Sequence, residues 1–316
     1  MKKKIINILI SVIITLLLLK AVSGIWSEGN ITAGVKQIKP LFLIFAMVCY
    51  VMTYPLRSFR IYYMMRNSAD ISFLNILPIC MRHQFYSRII PFKAGELSLV
   101  YLLRKKHGAS VVRGGTILLL LRIFDAAVMV LSFIICNFCE NTGGWLSYLA
   151  TALLAGVVLS AVIMFFAFGR ITEFLKRKGK NRLAGVFEDV SNLVKTISAK
   201  DIAALFLSTA VLWMFVYLSM HFVAVSFFPG LKFTNTVAAS FLASVAAFLP
   251  INGIGGFGTT EAGWTLGFTL IGMPGDTALI SGVVSNLMSF TVVCIGGLIS
   301  YLIRGDRGVQ NNHNKQ

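Results

Sequence analysis

The chain has 316 residues, 57% of them hydrophobic and only 13% charged, and its mean hydropathy is +0.79. A soluble domain carries about a quarter charged residues, so this composition argues against an ordinary soluble enzyme and for a polytopic membrane protein. Its 29 Lys+Arg against 12 Asp+Glu mark cytoplasmic loops and contact with anionic lipid before they suggest nucleic acid, for which no basic soluble module is present.

Lys2, Lys3 and Lys4 precede the apolar run Ile5–Leu19. The run reads as an uncleaved first helix, although Ala21-Val22-Ser23 also fits a signal-peptidase site. Further spans are predicted over Leu41–Leu56, Gly114–Cys136, Leu146–Phe168, Leu205–Phe228 and Ala278–Ile303. Most are long enough for a hydrocarbon core of about 30 Å at about 1.5 Å per residue; Leu41–Leu56 needs to continue past Arg57. Basic residues follow the second span (Arg57, Arg60, Arg66), precede the third (Arg104, Lys105, Lys106, Arg113), fill 170–200 and follow the last span (Arg304, Arg307). The stretches Asn137–Trp145 and Pro229–Leu231 contain none. With every basic cluster inside, the chain is a multi-pass protein of the inner, cytoplasmic membrane with both termini cytoplasmic. Lys176–Lys200 carries Leu183, Val186, Val190, Leu193 and Ile197 at helical spacing, which predicts an amphipathic helix on the inner leaflet. Trp26, Trp145 and Trp264 fit interfacial belt positions.

Two apolar stretches are interrupted in the same way. The first reads Arg88-Ile-Ile-Pro91-Phe-Lys93-Ala-Gly95-Glu96, the second Pro250-Ile-Asn252-Gly-Ile-Gly255-Gly256-Phe-Gly258-Thr-Thr-Glu261. Ile71–Leu103 begins and ends at cytoplasmic charge, whereas Thr234–Met273 begins and ends outside. Each therefore reads as a re-entrant helical hairpin, entering from opposite faces, between two full spans. The expected architecture is all-α with an inverted-topology repeat, about 41–136 and about 205–303, and a cytoplasmic tail over 304–316. Two ordinary helix pairs kinked at proline are the alternative. Broken backbone at membrane depth survives only where protein or water surrounds it, so both tips are expected to line a cavity.

The candidate site residues follow from that cavity. Glycines 255, 256 and 258 lead into a helix start whose amides suit an anion; Glu261 either caps that helix or faces the ligand. Lys93 either neutralises Glu96 or binds lipid. Arg122 and Asp125 lie mid-span on one helix face, where each charge costs about 2.5–3.5 kcal/mol. They form either a structural ion pair or a charge-balanced site for a phosphate-bearing lipid. Arg82 and Arg88 could reach the same cavity, and Arg57 and Arg60 serve either there or as topology anchors. No catalytic or metal constellation stands out: Cys136 and Cys139 have redox spacing without its context, the histidines lack metal spacing, and no acidic pair occurs in an outer loop. Asn30-Ile31-Thr32 is a glycosylation sequon.

Taken in order, Arg57-x-x-Arg60, Pro91-x-x-x-Gly95-Glu96, Arg122-x-x-Asp125 and Pro250…Gly255-Gly256-x-Gly258-x-x-Glu261-Ala262 make the chain resemble the lysylphosphatidylglycerol synthase transmembrane-region family over nearly its whole length. It departs from the family's more usual residues at Phe92, Lys93 and Asn252, which leaves the substrate open. The resemblance implies flippase-like translocation of an anionic membrane lipid or an isoprenoid-phosphate lipid, with no cofactor and without synthase activity. The alternative is a non-transporting membrane enzyme or an accessory subunit in cell-envelope lipid or polysaccharide biosynthesis.

Overall fold

A computed structural model of the protein describes residues 38–66, 71–91, 93–140, 144–162, 168–248 and 254–303. The expected first helix Ile5–Leu19, Trp26, the Asn30 sequon, Pro250, Asn252 and the 304–316 tail lie outside these residues. Every regular element among the described residues is helical. The first half holds α1 (Pro40–Met65), α2 (Phe73–Ile89), a 3-10 turn (Ala94–Leu97), α3 (Ser98–His107) and α4 (Val111–Glu140). A middle section holds α5 (Trp145–Val162), α6 (Phe168–Arg177) and α7 (Asn181–Lys195). The second half holds α8 (Ala199–Phe227), α9 (Phe233–Phe248), a second 3-10 turn (Ile254–Gly256), α10 (Thr259–Leu270) and α11 (Gly275–Leu302).

Helices α1, α4, α8 and α11 are long and apolar enough to cross a membrane. At 26 residues, α1 is about 39 Å long. It runs straight through Arg57 and Arg60, so these arginines stand inside a helix and not behind its end. Leu41, Ile44, Phe45, Val48 and Met52 form an exposed stripe along it. Leu287, Ile295, Leu298 and Leu302 form another on α11. Contiguous apolar faces of this kind suit lipid and not water. Helix α5 is described from Trp145 to Val162; the predicted continuation toward Phe168 runs through 163–167, outside the described residues.

Helices α1 and α8 pack along much of their length, and both ends of the pair are fixed. Arg66 Nη2 at the end of α1 meets Asp201 Oδ1 in the first turn of α8 at 2.9 Å. Phe42 and Phe45 near the start of α1 contact Phe222 near the end of α8, with ring centroids 6.2 and 5.5 Å apart. The two helices are therefore antiparallel. Around them several helix contacts occur in matching pairs. Thus α11 packs on α2 as α4 packs on α9, α1 on α2 as α8 on α9, and α3 on α4 as α10 on α11.

Small residues set how closely the short helices approach. Gly95 lies against the backbone of α2: a Cβ there would overlap the Tyr86 carbonyl. On α10, Gly263 and Gly267 are one turn apart, and a Cβ on either would strike the α9 backbone, at the Leu242 carbonyl (2.7 Å) or the Ala239 carbonyl. This is a small-xxx-small contact, which brings backbones together where no hydrophobic force between helices operates. Trp264, between the two glycines, is only 1% exposed. It stacks on Phe268 at 4.4 Å and donates from Nε1 to Ser281 Oγ at 3.0 Å, so it belongs to the interior and not to an interfacial belt.

The amphipathic segment Lys176–Lys200 is divided between helices, because Gly179 adopts φ 70° between α6 and α7. Part of the apolar side of α7 meets the protein: Val190 and Val194, with Ile197 just past the helix, pack against Leu120 of α4, whereas Val186 is exposed.

Gly267→Val is expected to destabilise the fold by about 1–3 kcal/mol through overpacking of the α9–α10 contact. Gly115, where an added Cβ meets nothing within 4 Å, supplies the control: Gly115→Ala leaves stability unchanged or slightly raised. Melting of the two variants in detergent checks this.

Candidate functional site

Between the halves lies a cavity of about 400 Å³. Its lining combines apolar side chains such as Leu118, Val216, Met220 and Phe248 with the charged Arg57, Arg88, Lys93, Glu96, Arg122 and Asp125, and with Ser87, Ser285, Asn286 and Ser289. Both interrupted segments reach it, the first through Lys93 and Glu96 and the second through Gly256 and Thr260.

On the first-half side the charges alternate. Arg60 Nη1 donates to Asp125 Oδ1 at 2.6 Å and to Thr209 Oγ1 of α8 at 3.0 Å. Trp213 Nε1, also on α8, donates to the same carboxylate oxygen at 3.3 Å. Arg122 Nη1 donates to the other oxygen, Asp125 Oδ2, at 3.3 Å, and reaches Glu96 Oε2 through Nε at 3.1 Å and through Nη2. Ser87 Oγ donates to Glu96 Oε1 at 2.8 Å. Asp125 thus has Arg60 as its nearer partner, and Arg122 is held mainly by Glu96. Arg60 and Asp125 are each 2% exposed. This arrangement joins α1, α2, α4, α8 and the first tip.

The second-half side is organised by Arg88 and Asn286. Arg88 Nη1 donates to the Gly255 carbonyl at 2.9 Å and to Asn286 Oδ1 at 3.1 Å, and Nη2 donates to Ser289 Oγ at 3.2 Å. One side chain of α2 therefore holds both the second tip and α11. Asn286 Nδ2 in turn donates to Glu261 Oε1 at 2.8 Å, while Glu261 Oε2 accepts from the Gly258 amide at 2.7 Å. Glu261 is 2% exposed and caps its own helix from the N3 position. The cap is thus carried by a glutamate and not by a threonine hydroxyl. In the glycine turn the Gly258 amide is used by Glu261, and Gly255 contributes its carbonyl to the arginine.

The predicted residues divide accordingly. Arg57, Arg88, Lys93, Glu96, Arg122, Asp125 and Gly256 line the cavity. Arg60, Gly255 and Glu261 are one hydrogen bond behind it, and Gly258 is bonded to Glu261. Arg82 is elsewhere: Nη2 donates to the Ser300 carbonyl at 2.8 Å, and its guanidinium lies over the Tyr301 ring. Among the described residues Lys93 is the non-glycine with left-handed backbone, φ 57°, a conformation that L side chains hold only where their surroundings impose it. The sequence reading missed Ser87, Thr209, Trp213, Asn286 and Ser289. The last two had a visible signal, since Gly282, Ser285, Asn286 and Ser289 recur on one face of an otherwise apolar helix.

Asp125→Asn leaves Arg60 buried without its counter-charge and is expected to destabilise by about 3–5 kcal/mol. Arg60→Met with Asp125→Leu removes both charges and should recover most of that loss. Monodisperse yield and melting temperature check it; a double variant no better than the single one would mean the pair does more than neutralise itself.

Comparison with known proteins bears on the whole chain. Residues 5–297 match the family described as the lysylphosphatidylglycerol synthase TM region. No curated protein matches the chain. The family match covers nearly the entire length and agrees with the four long apolar helices: the chain is a membrane protein that belongs to the flippase-like family of the lysylphosphatidylglycerol synthase transmembrane region.

Proposed function

We propose that the protein moves an anionic lipid, either a phospholipid or an isoprenoid-phosphate lipid, across the cytoplasmic membrane without changing it covalently. The observation that carries this reading is Arg88. It reaches from the first interrupted segment to Gly255 in the second, beside a cavity lined by both cationic and apolar side chains. Its acceptors are a carbonyl, an amide and a hydroxyl, all weaker partners for a guanidinium than a phosphate. A lipid phosphate entering the cavity competes for Arg88 and so weakens the link between the two halves. That is a differential interaction of the kind a ligand needs in order to bias two conformations.

The antiparallel α1–α8 pair and the matching contacts of the two halves support an inverted repeat. The 10-residue α3 and the 12-residue α10 are about 15 and 18 Å long, too short for a core of about 30 Å, which supports two re-entrant hairpins. Alternating access then consists of one half rocking against the other around a fixed site. The basic clusters at 104–113 and 170–200 support cytoplasmic placement of both termini.

Two experiments test this. In a background lacking the native cysteines, Asn141→Cys should react with an impermeant maleimide added outside and Lys180→Cys should not; external labelling at 180 would overturn the orientation. Purified protein in liposomes with fluorescent phospholipids or isoprenoid phosphates should expose them to external dithionite faster than empty liposomes do. Arg88→Gln, well folded by size-exclusion chromatography, should slow that exposure by about tenfold or more, the worth of a charge-assisted hydrogen bond. Wild type indistinguishable from empty liposomes for every anionic lipid would favour an accessory role.

A further inference from the structure

The charges around the cavity do not balance. Its lining carries four cations, Arg57, Arg88, Lys93 and Arg122, against the carboxylates of Glu96 and Asp125. Adding the charges bonded directly behind the lining brings in Arg60, on Asp125, and Glu261, through Asn286. Counted either way the excess is two positive charges. The carboxylates are also occupied: Asp125 by Arg60 and Arg122, Glu96 by Arg122 and Ser87, Glu261 by Asn286 and the Gly258 amide. Arg57 and Lys93 have no hydrogen-bond or ion-pair partner among the described residues, and Arg88 has only neutral ones.

We infer that the cavity takes a lipid whose headgroup ends in a dianionic phosphate, a phosphomonoester or a diphosphate, in preference to a monoanionic phosphodiester, and that it rejects headgroups bearing an ammonium. The inference rests on the lipid-binding reading above and gives it a charge count. An excess of two charges in a site partly shut off from water is costly until matched. A phosphodiester matches one of them; a terminal phosphate, with a charge of about −1.5 to −2 at pH 7 and three acceptor oxygens, matches both. Arg57, Arg88 and Lys93 come from α1, α2 and the first tip, so they can surround such a group from separate directions. An ammonium would need a carboxylate, and each of the three is already held by other donors. The apolar side chains of the lining take the first methylenes of the tail; they accept a diacylglycerol or an isoprenoid chain alike.

Trp213 and Trp264 both line the cavity, so intrinsic fluorescence of the full chain in detergent micelles reports binding. The probes are phosphatidic acid, farnesyl phosphate and farnesyl diphosphate as terminal phosphates, phosphatidylglycerol as the phosphodiester, and lysyl-phosphatidylglycerol as the ammonium-bearing lipid. Terminal phosphates should bind on the order of tenfold more tightly than phosphatidylglycerol, and lysyl-phosphatidylglycerol more weakly than either. The preference for phosphatidic acid should fade as the pH falls through the second phosphate ionisation, near about 6. Arg57→Gln and Lys93→Gln, each removing one charge, should lower affinity for terminal phosphates more than for phosphatidylglycerol. The comparison between phosphatidic acid and farnesyl phosphate separates a glycerolipid from an isoprenoid substrate. Equal affinity for phosphodiester and terminal phosphate would overturn the charge inference while leaving lipid translocation standing. Binding of none of these lipids would overturn both.

Discussion

Arg60, Asp125, Arg122 and Glu96 form a string of alternating charge that joins α1, α4 and the first tip, with Thr209 and Trp213 of α8 bonded into it. On insertion scales each of these ions would cost about 2.5–3.5 kcal/mol at the middle of a membrane. No member is tolerable alone in that setting, and every member is bonded to its neighbour. The string therefore specifies which helices meet and at what height, in a solvent where apolar side chains gain little by preferring one another to lipid. Alternation also decides what is left over. Once the pairs are made, the remaining cations face the cavity without a carboxylate of their own.

Arg88 is held in another way. Its three acceptors are neutral and belong to the second half of the chain, so the contact joins the halves without a counter-charge to lock it. The Arg60–Asp125 pair, by contrast, joins two opposite charges that are both buried. Gly95 against α2, and Gly263 and Gly267 against α9, bring each interrupted segment close to the helix before it.

Much of the helical pattern was legible in the sequence, because lipid obliges the backbone to satisfy its own hydrogen bonds and long apolar runs have few other options. Arg57 and Arg60 misled where α1 ends. Charges after an apolar run look like its boundary, and Asp125, which allows the helix to continue, is 65 residues from Arg60. Trp264 misled for a similar reason: an indole suits an interface until a partner such as Ser281 meets it inside. The apolar side of α7 was readable by its period, but not that Val190 and Val194 on it meet Leu120 of α4. For the site, residue types and spacing singled out most of the charged members. They did not reveal the pairing, since Arg122 faces both Asp125 three residues away and Glu96 on another element.

One hydroxyl of the cavity adds a property of its own. Ser244 donates to the Ser240 carbonyl at 3.0 Å, within its own helix. Such back-bonding satisfies the hydroxyl without recruiting a neighbour. Rotation about one side-chain bond releases it toward the cavity, and the carbonyl left behind keeps its place in the helix ladder. Ser244 thus gives the interior a polarity that is silent in its own helix and can be turned toward the cavity with no contact between helices broken.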